Sequence, residues 1–221
     1  MILAQYAIFG TLVAGLLALL YYQYKKIKKL QTENQKVAYQ LKECRSLDEV
    51  TGAYNYAFFV KMGNIQVKLA RRKKWPISML LVDIVELEKI NVRRSYAVGN
   101  AVLQHLYNTI KACIRESDII GRFGGSGFFI LLNDCAEDDL PNVIVQIQQC
   151  VNTSSCVDHN IEIPYKIRFG GVTMHGKHIY LNTMLSAVEE ALHGAKLRNC
   201  TYAIADHTGS VIKSDAKQEM G

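Results

Sequence analysis

The chain has 221 residues and a formal net charge of +6, a length that accommodates one domain of about 150 to 170 residues with accessory segments. Seven Lys and Arg residues and only two acids fall within residues 1–45, so the basic character belongs to one end of the chain and indicates a membrane surface, excluding nucleic acid as the partner. The six cysteines form no C-x-x-C pair and no His lies at metal-ligand spacing, which excludes a metal site built from Cys and His and makes these thiols packing residues.

Residues 1–24 predict a single transmembrane helix. The run from Ile2 to Tyr22 is almost entirely apolar, carries no charge, and has about the length that crosses a hydrocarbon core. No basic segment precedes the run and no small-residue cleavage site follows it, which argues against a signal peptide. Lysines at positions 25, 26, 28 and 29 follow at once, and this placement predicts that the C-terminal side lies in the cytoplasm.

Residues 25–45 predict a juxtamembrane coiled-coil helix. Its seam residues alternate at spacings of three and four: Ile27, Leu30, Asn34, Val37, Leu41 and Cys44. An Asn at an a position favours two strands, so we expect a parallel homodimer. The alternative is an amphipathic helix that packs on its own domain, because the run is short.

Helices and strands alternate in residues 46–206, and residues 207–221 predict a flexible polar tail. This order predicts an α/β (α+β) fold with a mainly antiparallel central sheet flanked by helices. We predict helices near Tyr56–Lys73, Tyr96–Ile114, Leu140–Asn152 and Met184–Lys196, and strands near Ile77–Val85, Ile119–Phe123, Phe128–Leu132, Tyr165–Met174 and Tyr202–Ala205.

The first of these helices ends in a second basic group, formed by Lys61, Lys68 and residues 71–74. Such a group is able to rest on acidic lipid headgroups. The alternative is a solvated helix end, where cations suit the helix dipole.

A glycine-rich turn, with Gly at 121, 124, 125 and 127, separates the strands that end near Phe123 and begin near Phe128. Glycine permits the positive φ angles of a tight turn. A phosphate-binding loop would instead open a helix and carry a Lys beside a Ser or Thr. The turn therefore predicts a β-hairpin.

Two upstream segments add to this turn. Residues 48–56 follow the pattern D-x-L-T-G-x-x-N-R until the last position, which is Tyr56. Residues 83–103 align without gaps to D-x-D-x-F-K-x-x-N-D-x-x-G-H-x-x-G-D-x-x-L, with Asp83, Asn91, Gly99 and Leu103 retained. Together with the glycine turn, these motifs resemble the signature of the GGDEF family, the diguanylate cyclases of bacterial cyclic di-GMP signalling. The resemblance covers about residues 46–206, and it implies a palm-like nucleotidyl cyclase fold and, with the predicted anchor, a bacterial inner membrane.

The family joins two GTP molecules with the help of metal ions, and this sequence departs from its metal ligands. The resemblance assigns the ligands to Asp83, the carbonyl of Ile84 and the third signature position, which is Ser126 here. The other acidic positions are Val85 and Gly127. One carboxylate is a poor cage for a hard divalent cation, so we expect no catalytic residues, no metal and no cofactor.

Other nucleotide-binding positions of the family are partly kept. Lys196 is retained, whereas the phosphate-contacting Lys of the second motif is Glu88. Of the pair that reads guanine, Asn91 is retained and its acidic partner is Asn100. Asn91 allows two interpretations: residual nucleotide binding, or a cap at a strand-to-helix junction.

Arg115 and Asp118 match the R-x-x-D site at which many family members bind cyclic di-GMP, and Arg122 offers a third group. A guanidinium offers a planar fork to phosphate oxygens, and a carboxylate accepts from guanine. Against this, the stretch from Phe123 to Tyr165 contains no Lys or Arg. The alternative is that Arg115 is a solvated residue near a helix end and Asp118 holds a turn.

These features predict a catalytically inactive, membrane-anchored protein that acts in cyclic di-GMP signalling as a receptor or regulatory module. Its expected partners are cyclic di-GMP, a second copy of the chain, and signalling or membrane proteins. Two alternatives stay open: a ligand-independent dimeric scaffold for partner proteins at the inner membrane, and a weakly active diguanylate cyclase.

Overall fold

The computed structural model describes residues 15, 17, 19–34, 46–158 and 161–215. The chain divides into two units, Met1–Arg45 and Ser46–Gly221.

In the first unit, residues 19–34 are helical. Ile27 and Leu30, the first two predicted seam residues, are 54% and 49% exposed. The other seam positions from 37 onward, and most of the predicted transmembrane run, lie outside the described residues. Across the part of the chain that the structure describes, no helix combines the length and apolar content that a membrane crossing requires.

In the second unit, residues 46–158 and 161–215 form five helices and eight strands. The helices are α1 (Tyr56–Lys73), α2 (Leu87–Arg93), α3 (Tyr96–Cys113), α4 (Leu140–Thr153) and α5 (Leu181–Leu197), with a short 3-10 turn at Gly176–His178. The strands are β1 (Ile77–Ile84), β2 (Ile119–Phe123), β3 (Gly127–Asn133), β4 (Val157–Asp158), β5 (Ile161–Glu162), β6 (Ile167–Met174), β7 (Tyr202–Ala205) and β8 (Val211–Ser214).

Six of these strands form one mixed sheet in the order β2-β3-β1-β6-β7-β8. The β6–β7 pairing is parallel, and the other pairings within this sheet are antiparallel. The β6–β7 pair is parallel because α5 connects the two strands. A crossover helix brings the chain back to the end of the sheet at which the first strand began, so the second strand runs in the same direction. Strands β4 and β5 form a separate small hairpin.

Helices cover both faces of the central strand β1, so its sequence is apolar at almost every position. Leu80, Val82 and Ile84 face a core shared with α3 and α4. Ile77, Met79 and Leu81 face a second core shared with α1 and α5. Every buried hydrophobic residue of both cores lies between Ala53 and Ile204, so this unit carries its own core and is able to fold by itself.

The sequence prediction omitted several elements: helix α2, the small β4–β5 hairpin, the 3-10 turn at Gly176–His178 and strand β8. Helix α2 was not predicted, because seven residues are too few to show a helical period. The predicted flexible tail from residue 207 instead contains strand β8, which pairs with β7. The Asp206 carboxylate holds the intervening turn by accepting the backbone N–H groups of Thr208 and Ser210, and Val211 packs on a small buried cluster.

Candidate functional site

The β2–β3 hairpin carries the glycine turn, and Arg122 stabilises it. Gly124 adopts a φ of 53°, which only glycine accepts readily in a turn of this kind. The Arg122 guanidinium donates to the carbonyls of Gly127, at 3.2 Å, and Gly125. It also lies 4.9 Å from the centre of the Phe128 ring. Burial lowers the pKa of Arg122, and its donors bind the hairpin's own backbone.

Asp83 lies at the end of β1, opposite Gly127 of the hairpin. Both of its carboxylate oxygens have partners: the Ser126 hydroxyl donates to Oδ1, and Lys196 Nζ lies 2.6 Å from Oδ2. The Ile84 N–H donates to the Ser126 carbonyl at 3.0 Å. The structure therefore brings together residues of β1, the hairpin and α5 that the family resemblance assigns to metal and nucleotide binding.

This arrangement does not fit a divalent cation. Such ions require several oxygen ligands, usually with more than one carboxylate. Here the ammonium of Lys196 already neutralises the single carboxylate, and Val85 and Gly127 supply none. Within the described ranges, no group of three or more His, Cys, Asp or Glu residues is placed to hold a metal ion.

Asn91 lies inside helix α2 and packs against Gly99 of α3. Its Oδ1 is buried and has no hydrogen-bond partner among the described residues. A Cβ at Gly99 would lie 1.8 Å from this oxygen, so the packing requires glycine there. The interpretation of Asn91 as a helix cap is wrong, because α2 begins after Glu86. Asn100, the second member of the predicted guanine-reading pair, is exposed on α3.

Arg115 and Asp118 lie at a cavity of about 480 Å³ beside the C-terminal end of α3. The Asp118 carboxylate accepts the backbone N–H of Arg115 at 3.0 Å and of Asn133 at 2.9 Å. Burial raises the pKa of Asp118, and these two hydrogen bonds oppose the shift. Asp118 thus holds the turn, as the alternative interpretation expected, while Arg115 is exposed and Arg122 is not among the cavity's lining residues.

The cavity also contains residues that sequence reasoning missed. Tyr107 and Lys111 line it, and Lys111 Nζ lies 5.8 Å from the Tyr107 ring centre. Tyr54 enters from the segment before α1. The spacing of four between Tyr107 and Lys111 would have placed them on one side of α3, just before Arg115. The remaining lining residues are Leu47, Gly52, Ile114, Glu116, Asp118 and Ile120.

The order of strands and helices and the motif positions lead to a family. The family described as "Diguanylate cyclase, GGDEF domain" matches residues 45–200. The chain belongs to the GGDEF family. In this chain the signature positions read Gly124, Gly125, Ser126, Gly127 and Phe128.

Several diguanylate cyclases are distant relatives of this chain. The probable diguanylate cyclase DgcC of Escherichia coli K12 is 24% identical over 149 residues, which cover 67% of this chain and 40% of that protein. The chain thus spans less than half the length of that curated relative.

Solved structures share the fold at low identity. The GGDEF domain of DgcB from Caulobacter crescentus, determined in complex with cyclic di-GMP, has a TM-score of 0.67 at 14% identity and covers 74% of this chain and 96% of its own. The diguanylate cyclase SiaD from Pseudomonas aeruginosa, determined with its activator SiaC, has a TM-score of 0.67 at 18% identity and covers 91% of this chain and 77% of its own.

Proposed function

We propose that this chain is a catalytically inactive GGDEF protein that acts in cyclic di-GMP signalling as a receptor or regulatory module. The observation that carries the proposal is the set of partners around Asp83. Ser126 and Lys196 occupy both carboxylate oxygens, and no second carboxylate stands at Val85 or Gly127. Phosphoryl transfer between nucleotides depends on bound metal ions and fixed positive charge. Here the single carboxylate, Asp83, is already paired with Lys196 and is not available to a metal ion.

The cavity beside α3 supports the receptor part of the proposal. It combines the exposed guanidinium of Arg115 and the ammonium of Lys111 with the rings of Tyr54 and Tyr107. Guanidinium and ammonium groups bind phosphate oxygens, and aromatic rings stack on purine bases. A cyclic dinucleotide offers both groups. The GGDEF domain of DgcB, which shares the fold, was determined in complex with cyclic di-GMP, and this supports the receptor proposal.

Calorimetric titration of residues 46–221 with cyclic di-GMP tests the receptor. We expect saturable binding in the micromolar range, and Arg115→Ala weakens it by roughly tenfold or more because a charge-assisted hydrogen bond is lost. Arg94→Ala is the matched control, since Arg94 is exposed and does not line the cavity. Absence of heat at high-micromolar ligand, or equal affinity of the two variants, contradicts the proposal.

We also propose that residues 1–24 anchor the protein in a bacterial inner membrane as a single span, with the domain in the cytoplasm. The uncharged run from Ile2 to Tyr22 and the lysines after it support this placement. Resistance of the full chain to carbonate extraction, lost when residues 2–22 are deleted, is the expected result. Extraction of the full chain by carbonate would contradict it.

A second candidate function is a dimeric scaffold for partner proteins. The exposure of Ile27 and Leu30 on the helix of residues 19–34 favours it, because apolar side chains at coiled-coil spacing become buried when a second helix packs against them. Sedimentation of the full chain in detergent should give a dimer that Leu30→Lys dissociates and Gln31→Lys leaves intact. A monomer would remove this candidate.

A further inference from the structure

Positive charge is concentrated on one part of the second unit. Residues 46–221 are nearly balanced in charge, yet residues 56–75 contain six Lys or Arg and no acid. Residues 175–188 also lack acids and contribute Lys177. These two acid-free segments meet in the fold, because the 3-10 turn at Gly176–His178 packs against α1.

The end of α1 shapes this region. Lys74 caps the helix in the left-handed conformation, with φ 58° and ψ 29°, and its N–H donates to the carbonyls of Ala70 and Arg71. The Trp75 N–H donates to the Ala70 carbonyl at 3.0 Å, which fixes the chain as it enters β1. The Arg71 guanidinium lies 5.3 Å from the centre of the Tyr180 ring and joins the two segments.

We call this region the basic–aromatic surface; it comprises Arg71, Arg72, Lys73, Lys74, Trp75, Lys177 and Tyr180. Trp75 is 42% exposed and Tyr180 is 53% exposed. None of the cations of the surface forms an ion pair with a described residue. The charge is therefore left for an external partner, and two large amphipathic rings stand among the cations.

The surface is one-sided. An acidic turn containing Asp134, Glu137, Asp138 and Asp139 lies at the same end of the sheet, since Asn133 pairs with Ile77 at the start of β1. This turn leads into α4, whose core lies on the opposite face of the sheet from α1. A planar anionic partner would attract the α1 face and repel the α4 face, which defines one orientation.

We propose that the basic–aromatic surface docks the globular domain on an anionic lipid surface. Trp and Tyr rings favour the headgroup level of a bilayer, where the ring is apolar and its N–H or O–H remains hydrated. Long Lys and Arg side chains reach from there to lipid phosphates.

The ring geometry favours lipid over nucleic acid. Arg71 lies over the Tyr180 ring, and Lys73 Nζ lies 5.8 Å from the Trp75 ring centre. Cations thus already cover faces that a nucleic-acid base would need for stacking. The docking is separate from both the predicted span and the cyclic di-GMP cavity, because neither contributes a residue to this surface.

The fluorescence of the unmodified domain tests the proposal directly. Trp75 is the only tryptophan of the chain, so residues 46–221 report on this surface without a label. Vesicles containing phosphatidylglycerol should shift its emission to the blue, and brominated acyl chains should quench it. Pure phosphatidylcholine vesicles should leave the emission unchanged, and high salt should reverse the shift.

Two charge-matched variants complete the test. Arg72→Glu with Lys73→Glu should weaken vesicle binding by about 30-fold or more, given the contribution of each cation near an anionic bilayer. Arg93→Glu with Arg94→Glu makes the same change in net charge beside α2 and should alter binding by less than about threefold. Thermal melting and far-ultraviolet circular dichroism confirm that both variants are folded.

Three results would overturn the proposal: no spectral shift with anionic vesicles, equal loss of binding in both variants, or tight binding to duplex DNA without quenching by brominated lipid. The last would assign the surface to a nucleic acid. Because the fragment lacks residues 1–45 and the assay contains no nucleotide, failure here leaves the anchor and the receptor proposals standing.

Discussion

Replacing Gly170 by alanine is expected to lower the free energy of unfolding of the domain by about 3 kcal/mol or more, enough to unfold a marginal protein. Gly170 lies in β6 under helix α5. A Cβ there would stand 2.2 Å from the Val188 carbonyl oxygen and 2.4 Å from the Leu192 backbone nitrogen. These are helix backbone atoms, so no rotamer change relieves the clash. Either α5 moves off the sheet or β6 bends, and both disrupt buried packing.

Chemical denaturation of residues 46–221 measures the loss of stability. Alanine substitutions at two other glycines serve as comparisons. At Gly171 the nearest atoms to an added Cβ are side-chain carbons of Leu140 and Leu80, each at 3.2 Å, so Gly171→Ala should cost less. At Gly125 nothing lies within 4 Å, and Gly125→Ala should change stability by less than about 1 kcal/mol. Equal midpoints for Gly170→Ala and Gly125→Ala would contradict the expected contact.

The effect matters for function because α5 also holds Lys196. Helix α5 packs on β6 and β7, and its C-terminal turn carries the ammonium that meets Asp83. Displacing the helix from Gly170 would therefore disturb the Asp83–Lys196 pair as well as the core. The close approach of α5 to the sheet is one reason that the pair forms.

Much of the fold was predictable from local sequence. Helix α1 and strands β2 and β7 have the predicted bounds, because Asn55 caps α1 and because short apolar runs between polar segments mark strands. Helix α5 begins three residues before the predicted start, since its first turn has no side-chain cap to mark it. Strand β8 was missed because an edge strand needs few buried residues, and Ile212 is 51% exposed.

The candidate site was less predictable, because its contacts join segments that are far apart in sequence. Spacing and resemblance identified Asp83, Ser126 and Lys196 as site residues. They did not predict that Ser126 and Lys196 both bind the Asp83 carboxylate. The sequence offered Arg122 as a third group of the site formed by Arg115 and Asp118. Which way its side chain points depends on the hairpin, where the carbonyls of Gly125 and Gly127 accept its donors.

We expect the purified protein to form no detectable cyclic di-GMP from GTP and magnesium. Any rate of synthesis should lie at least about 10⁴-fold below that of an active cyclase. The estimate follows because each lost electrostatic group typically costs about 10² to 10³ in rate, and several are absent together. Val85, Ser126 and Gly127 supply no carboxylate, and Glu88 places a negative charge where the family resemblance calls for a Lys. Chromatography of the nucleotide products after long incubation is the measurement.

Variants at Asp83 and Lys196 separate an inactive protein from a slow enzyme. Because the Lys196 ammonium lies 2.6 Å from the Asp83 carboxylate, Lys196→Met frees one oxygen. One freed oxygen still leaves a single carboxylate, so this variant should form no product and bind magnesium no more tightly than about millimolar. Product from the unmodified chain that disappears in Asp83→Ala would show instead that the carboxylate exchanges Lys196 for a metal ion, and would make the protein a weak cyclase.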